Sequence, residues 1–325
     1  MIFNARLFWR RYTTWIGVYL ISRYLGLGTE EEAFDRMYFE TSGIGNFLQI
    51  IFDLQSSNDI AQQLSQITIS LRDLITAQFQ GNTEAMKQNV DRLYQNAEDF
   101  AVLLSTINPY INEAEWKNMM NLYIQYTIRQ ANSFVTGDYS EDIELFRRLA
   151  ELTNRMGDIF AESIYNYINS GAQVIPLDDQ ECVTLEQMNQ IYIIRMFWFE
   201  LVIWTRAYML SRYLNIGNEN EIMARLRQVP EEYVGALSQI FGESIEPSLQ
   251  LVNEYIDLID ALITAQIEND TEEIDRIVQL LYQNADQRAA VVASINPYWD
   301  QNEWENRLRN HVSYTIDESV TLQTG

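Results

Sequence analysis

Large apolar side chains recur every three or four residues along nearly every long segment of this chain. Near the N-terminus this spacing is shown by Phe8, Tyr12, Trp15 and Tyr19. Such a period is typical of an α-helix with one wide apolar face. No stretch has the sustained two-residue alternation of a half-buried strand, and turn dipeptides of the hairpin type are missing. The pattern therefore predicts an all-α protein.

Turn residues and capping signals divide this pattern into separate helices. Thr184 followed by Gln187 is one example, since a threonine three residues before a glutamine is typical of a helix start. The predicted helices span, in order, residues 3–26, 46–80, 83–105, 112–136, 139–169, 185–215, 219–228, 230–268, 271–293 and 301–321. The stretch 170–183, which contains Gly171 and Pro176, is predicted to link two domains, 1–169 and 184–325.

The same series of motifs occurs twice along the chain. Ser-Arg-Tyr-Leu at 22–25 returns at 211–214, and Leu-Tyr-Gln-Asn-Ala at 93–97 returns at 281–285. The offset falls from 189 (211 − 22) to 188 (281 − 93), so the first copy carries one extra residue, which we place in a loop near 41–46. Repeated motifs in one order predict a tandem duplication. Because short connections favour antiparallel neighbours, each copy is predicted to be an antiparallel helical bundle.

The two copies differ in one respect, because only the first contains a fifth main helix, predicted at 139–169. A counterpart 188 residues later would begin at 327, beyond Gly325. The apolar stripe of that helix, which includes Phe146 and Leu149, is needed by the first bundle. We therefore expect an exposed apolar groove on the second bundle, and a homodimer or larger assembly closed through it. The alternative is that helix 139–169 is shared between the bundles.

Composition narrows the classes of partner. The chain carries 46 acidic and 22 basic residues, a formal net charge of −24. A field of this sign repels phosphate backbones and anionic lipid surfaces, so we predict no nucleic-acid partner. The most apolar segments, near 12–28 and 191–216, are interrupted by charges such as Arg23 and Glu200. A spanning helix needs about 20 nearly uncharged apolar residues, and none is predicted.

The N-terminal region and the cysteine content indicate a compartment. Arg6, Arg10 and Arg11 interrupt the first apolar residues, which is unlike a secretory signal peptide. One cysteine, Cys182, excludes an intramolecular disulfide framework and a cysteine metal site. These features predict a cytoplasmic protein.

Few residues are candidates for catalysis. His311 is the only histidine, and the residue three positions before it is Leu308. The di-iron helical bundles instead carry a Glu-x-x-His motif on two helices. The segment Gly43-Ile44-Gly45 lacks the third glycine and the preceding strand of a dinucleotide-binding loop. We predict no catalytic residue, no cofactor and no metal site, and a metal-binding or enzymatic bundle around His311 is the alternative.

Arg23 and Arg212 occupy the same place in the two copies, near the end of an apolar-faced helix. Each is expected either to lie at a helix C-terminus with its stem on apolar surface or to form a structural ion pair. The partners considered are acidic residues present in both copies: Glu84 and Glu272, Glu98 and Asp286, Glu115 and Glu303.

Trp15 and Trp204 also coincide between the copies, on the apolar stripe of the first helix of each. Their helical spacing predicts that they pack in the core. A pocket for a hydrophobic ligand is the alternative, and it would make the protein a carrier.

Several motifs of the second copy stand out together. They are Trp204-Thr205-Arg206, Tyr282-Gln283-Asn284-Ala285-Asp286, Ser294-Ile295-Asn296-Pro297-Tyr298-Trp299, Glu303-Trp304 and His311. In this combination they resemble a family of small helical proteins, about half as long, that are common in spore-forming bacteria. Many of these proteins are labelled acetylglutamate kinase, although such a kinase requires a mixed sheet and glycine-rich nucleotide loops that this sequence lacks.

The resemblance implies helix-borne histidines at three positions of each copy. In this chain the positions hold Leu201, Tyr255 and His311 in the second copy and Tyr12, Ile67 and Tyr123 in the first. If the histidines of the relatives bind a metal, this chain has lost that chemistry at all positions but one. The sequence therefore predicts a non-catalytic helical protein that acts by binding or self-assembly.

Overall fold

The computed structural model describes residues 2–170 and 184–324, which form helices joined by turns, with no strand among them. The prediction of an all-α protein is confirmed. Within the same ranges, no helix offers an uncharged apolar run of the length that a bilayer requires. The chain divides into two compact units, Met1–Cys182 and Val183–Gly325. Apart from Ser170, the linker predicted at 170–183 lies outside the described residues, as does Cys182.

The first unit is built around a helix that the other helices surround in part. Its helices are α1 (Ile2–Leu25), α2 (Glu30–Leu48), α3 (Leu54–Phe79), α4 (Thr83–Ile107), α5 (Glu113–Thr136) and α6 (Tyr139–Asn169). α1 packs against α2 and α6, α5 packs against α4 and α6, and α3 packs against α2 and α4. The core contains large aromatic side chains that are almost fully buried, among them Trp9, Tyr12, Trp116 and Phe160.

The prediction of a single helix over 46–80 is wrong. α2 occupies a stretch predicted to be largely loop, and α3 begins only at Leu54. Asp53 caps α3, because its carboxylate accepts a hydrogen bond from the backbone N–H of Ser56 at 2.9 Å. The glycine at 45, which suggested a loop, lies where α2 touches α3: a Cβ there would be 2.8 Å from the Cβ of Ala61. Close helix packing, rather than a turn, requires a residue without a side chain at Gly45.

The second unit has a similar order of helices. They are α7 (Leu185–Leu214), α8 (Glu219–Phe241), α9 (Glu246–Glu268), α10 (Thr271–Ile295) and α11 (Gln301–Thr324), with a 3-10 turn at Gly242–Ile245. α7 packs against α8, α10 packs against α9 and α11, and α7 also touches α9 and α11. Leu201, Tyr255, Leu281 and Val312 are fully buried at the centre.

Pro230 does not begin a helix, as the sequence suggests, but lies inside α8. A proline in a helix interior costs about 3 kcal/mol, because it removes a hydrogen bond and clashes with the preceding turn. The apolar face of α8 continues through it, with Leu226, Val229 and Leu237 all buried, and this burial offsets the cost. The helix ends instead at Gly242, whose φ of 60° suits glycine.

One hydrogen bond recurs at matching positions of the two units. Thr29 and Asn218, predicted as capping-box residues, make no side-chain cap. Thr29 instead hydrogen-bonds to Ser22 at 2.8 Å, and the amide oxygen of Asn218 accepts from the Ser211 hydroxyl at 2.6 Å. Each bond joins the end of one helix to the start of the next across a short turn.

Candidate functional site

The two tryptophans predicted as core residues differ in burial. Trp204 is 6% exposed, and its indole N–H donates to the carboxylate of Glu200 at 2.6 Å. Trp15 is only partly buried against the core, with the guanidinium of Arg36 5.7 Å from its ring centroid. The fully buried tryptophan of α1 is Trp9. The prediction that Trp15 lies inside the core is therefore wrong, because that position of α1 faces the edge of the core rather than its centre.

Arg23 lies at the C-terminal end of α1, 3.4 Å from the carboxylate of Glu30 in the first turn of α2. Its guanidinium carbon is 4.9 Å from the ring centroid of Phe79. The side chain thus combines a cation–π contact with a weak ion pair across the α1–α2 turn.

Arg212 belongs to a denser network at the end of α7. It contacts the carboxylate of Asp260, donates to the hydroxyl of Tyr208 at 2.7 Å and donates to the hydroxyl of Thr264 at 2.9 Å. The Tyr208 hydroxyl in turn donates to Asp260 at 2.6 Å. Burial and the neighbouring carboxylate raise the pKa of Tyr208 to about 12, so the phenol keeps its proton. The network fastens α7 to α9.

The acidic partners considered from the sequence lie elsewhere. Glu98 contacts Lys117, Glu115 lies 3.1 Å from Arg155, and Asp286 lies 2.6 Å from Arg309. Those pairs are all partly exposed, as is usual for ion pairs between helices.

His311 lies between α11 and α9 and is partly buried. Its Nε2 is 3.2 Å from the hydroxyl of Tyr255, and the same hydroxyl is 3.3 Å from that of Thr315. The ring of Trp198 meets the imidazole edge to face at 5.7 Å between centroids. His311 is therefore held by an aromatic and hydroxyl environment.

The charge state of His311 follows from these surroundings. Burial, together with the positive charge of Arg288, lowers the pKa of His311 to about 4. The imidazole is neutral at pH 7. Among the described residues, no group of three or more His, Cys, Asp or Glu side chains converges as a metal site requires.

Arg288 is the functional candidate that the sequence reasoning missed. It lies on α10 and is 3% exposed, with its guanidinium carbon 4.6 Å from the ring centroid of Tyr255. Nε, Nη1 and Nη2 are all buried, and none of them donates a hydrogen bond to a protein atom. Burial lowers the pKa of Arg288 to about 10, yet the group stays charged at neutral pH.

A cavity of about 30 Å³ opens beside this guanidinium. Its lining includes Arg288 and Ser248, whose hydroxyl is also buried without a hydrogen-bond partner in the protein. The remaining lining side chains are apolar or aromatic: Phe197, Trp198, Tyr233, Val252, Val292 and Leu308. The second unit therefore places two unused donors at the edge of one small apolar space.

The first unit treats the corresponding positions differently. Tyr12 and Tyr123 stack at 6.5 Å between centroids. Tyr12 hydrogen-bonds to Thr68 at 2.7 Å, and Tyr123 hydrogen-bonds to Thr13 at 3.1 Å. Burial raises the pKa of both phenols, which keep their protons. These hydroxyls satisfy one another inside the core, so the arrangement is that of a packed interior.

Comparison of the chain with protein-family models, with curated proteins and with solved structures finds no match.

Proposed function

We propose that the chain is a non-catalytic helical protein, built as two copies of one antiparallel bundle, that assembles with a second copy of itself through the second unit. The repeated motif order supports the duplication. So does the hydrogen bond that joins Ser22 to Thr29, since the positions 189 residues later, Ser211 and Asn218, are joined in the same way. The likeness of the second copy to small helical proteins of spore-forming bacteria belongs to this proposal.

The chemistry of the buried polar groups supports a non-catalytic role. A general base near neutral pH needs a pKa close to the working pH. The pKa of His311 is lowered to about 4, and its hydrogen-bond partner Tyr255 has a raised pKa. Neither group is poised to exchange a proton at pH 7. In this proposal the protein works in the cytoplasm, and its net charge of −24 keeps it from nucleic acid and anionic membranes.

The surface of α7 carries the proposed self-association. Ile191 is 50% exposed and Val202 is 43% exposed. They are eleven residues apart, which is close to three helical turns, so both lie on one side of α7. At the matching place on α1, Thr13 is only 3% exposed, and α1 packs against α6. Exposed apolar side chains in one stripe are typical of an interface. A second copy offers the same stripe, which a two-fold axis would close.

Light scattering and sedimentation of the full chain test this proposal. We expect more than one chain per particle at micromolar concentration, and a shift to monomer for Ile191→Glu and Val202→Glu. Val102→Glu is the matched control, because Val102 is 44% exposed on α4 of the first unit and gains the same charge. A wild-type monomer throughout, or equal effects of all three variants, would overturn the proposal.

Two other functions remain as outcomes of simple measurements. If the protein is a metal-binding or enzymatic bundle around His311, elemental analysis will find about one metal ion per chain that is lost in His311→Tyr. If it is a carrier of hydrophobic ligands, native mass spectrometry will find a bound lipid. The cavity beside Arg288, about 30 Å³, has room for a few water-sized groups and not for an acyl chain.

A further inference from the structure

The buried guanidinium of Arg288 lacks the partner that such a group requires. Its three nitrogens carry five N–H donors, and none donates to a protein atom. Its described contact is with the ring face of Tyr255, at 4.6 Å. A cation–π contact stabilises a cation only modestly, whereas a buried charge is costly unless it is paired and hydrogen-bonded. Arginine does not escape this cost by losing its proton at neutral pH.

A hydroxyl faces the same space. Ser248, on α9, lines the cavity with Arg288, and its Oγ likewise has no hydrogen-bond partner in the protein. None of the described side chains that line the cavity is a carboxylate. A space of about 30 Å³ holds only a few water molecules or one small ion. The cavity thus combines one positive charge, two kinds of donor and apolar walls.

Comparison of the two copies shows that this cavity depends on several substitutions together. The positions 188 residues before Arg288, Ser248, Val252 and Val292 hold Phe100, Ile60, Leu64 and Leu104. All four of these first-copy side chains are 1% exposed. Three of the second-copy residues are smaller, and the fourth brings a cation in place of an apolar ring. The space that the first unit fills with hydrocarbon is therefore opened and given donors in the second unit.

The chemistry that satisfies these groups is that of a small anion. A guanidinium presents parallel N–H groups that match a carboxylate or bind a single halide, and charge-assisted bonds of this kind are the strong ones. We propose that the second unit binds one small monovalent anion, of the size of chloride or formate, in this cavity, with Arg288 as the charged donor and Ser248 as the hydroxyl donor. This site is independent of the proposed self-association through α7.

Ligand-dependent stability of the full chain tests the site. Because the chain carries a charge of −24, any salt screens its repulsion, so ionic strength is held constant with sodium gluconate, whose anion is too large for the cavity. Chloride or formate then replaces gluconate. An anion that binds only the folded state raises the melting temperature in a saturable way. We expect this saturable shift for the wild type.

The variants separate the site from a general salt effect. Arg288→Met should lose the saturable shift, and Ser248→Ala should weaken apparent affinity several-fold. Arg309→Met is the matched control, since Arg309 is a surface residue of the same unit that pairs with Asp286, and its loss changes the net charge equally. It should keep the wild-type response. Arg288→Met is expected to fold, because an apolar residue of similar size often replaces a buried charge without loss; if it does not fold, Ser248→Ala decides.

Direct detection completes the test. In chloride-35 NMR, the wild type should broaden the chloride line, formate should reverse the broadening, and Arg288→Met should abolish it. Bromide should appear in the cavity within hydrogen-bond distance of Arg288 by anomalous diffraction. Equal responses of the wild type and Arg288→Met, or a cavity that holds only water in bromide, would overturn the proposal. A response to chloride without formate, or the reverse, would identify which of the two anions the site accepts.

Discussion

The phenol oxygen of Tyr255 lies 3.2 Å from Nε2 of His311, and this hydrogen bond joins α9 to α11. In the first copy the same pair of positions holds Ile67 and Tyr123, and the Tyr123 hydroxyl bonds to Thr13 on α1 instead. A histidine in this place makes the packing of the second unit depend on the charge of the imidazole.

Acid should therefore destabilise the second unit through His311. The pKa of His311 is lowered from 6.5 to about 4 by burial and by Arg288. Because the folded-state value lies below the unfolded one, the unfolded chain binds the proton more tightly, and stability is lost as the pH falls from 6.5 towards 4. We expect a loss of roughly 2–3 kcal/mol across this window. Urea unfolding at pH 7 and pH 4.5 measures it. His311→Tyr, which restores the first-copy residue, should remove this part of the pH dependence; an unchanged profile would contradict the assignment.

Asp142 of the first unit should act in the opposite direction. Burial raises its pKa from 3.8 to about 7, although a hydrogen bond with Gln130 partly opposes the shift. The folded state therefore holds the proton more tightly than the unfolded state, and stability falls as the pH rises from about 4 to 7. Asp142→Asn should raise the free energy of unfolding by roughly 1–3 kcal/mol at pH 8 and leave it unchanged at pH 4. Glu151→Gln, an exposed carboxylate further along α6, is the control with the same change of charge. A gain that does not depend on pH would argue against a titrating Asp142.

The tryptophans should separate by burial. Replacing Trp9 or Trp204 with alanine should cost about 3–5 kcal/mol, the usual loss for a large buried aromatic side chain. Trp15→Ala should cost less, about 1–2 kcal/mol, because its ring already contacts solvent and is covered only in part. Thermal and urea unfolding of the three variants measure the order. A loss for Trp15→Ala as large as that for Trp9→Ala would mean that the edge of α1 is more tightly packed than its exposure suggests.

The helical class and most helix positions follow from apolar periodicity, because long helices with one buried face repeat their pattern many times. Caps sharpen some boundaries: Thr184 and Gln187 form the capping box that their spacing predicts. The two misplaced boundaries have local causes. Gly45 is a close contact between helices, not a turn, and Pro230 is tolerated because the apolar face continues beyond it. Neither glycine nor proline reveals from sequence alone which of its roles it plays.

The candidate site was harder to predict, because sequence distance hides which polar groups meet. The partner of Arg212 is Asp260, whose first-copy position holds Arg72, so a search restricted to acids shared by both copies passes over it. Arg288 did leave a signal. It continues an apolar helical series with Leu281, Ala285 and Val292, and its counterpart is Phe100. A cation at a core position of one copy alone is what marks the cavity.

Asp260 should contribute to stability through its network rather than through charge alone. Removing the charge with Asp260→Asn weakens its bonds with Tyr208 and Arg212, and we expect a loss of about 1 kcal/mol, since the carboxylate is partly exposed. Asp257→Asn, three residues earlier on α9, removes an exposed pair with Arg227 and should cost less than about 0.5 kcal/mol. A double-mutant cycle of Asp260→Asn with Arg212→Met measures the coupling. Coupling near zero would show that the two side chains act independently.

Two glycines in helices of the first unit should respond to alanine with opposite signs. In a helix interior, glycine is less favourable than alanine by about 0.5–1 kcal/mol. Gly43 of α2 is exposed and has nothing within 4 Å of an added Cβ, so Gly43→Ala should raise the free energy of unfolding by about that amount.

At Gly157 of α6, an added Cβ would lie 2.6 Å from the backbone N and Cα of Arg6 on α1. Backbone atoms cannot rotate away as a side chain can, so the two helices would have to separate. Gly157→Ala should therefore lower the free energy of unfolding by about 1–3 kcal/mol, the usual cost of overpacking, despite the better helix propensity of alanine. Urea unfolding of both variants measures the contrast. If both alanines stabilise the protein, α6 does not approach α1 as closely as this contact requires, and the packing of α6 against α1 would rest on side chains rather than on backbone contact.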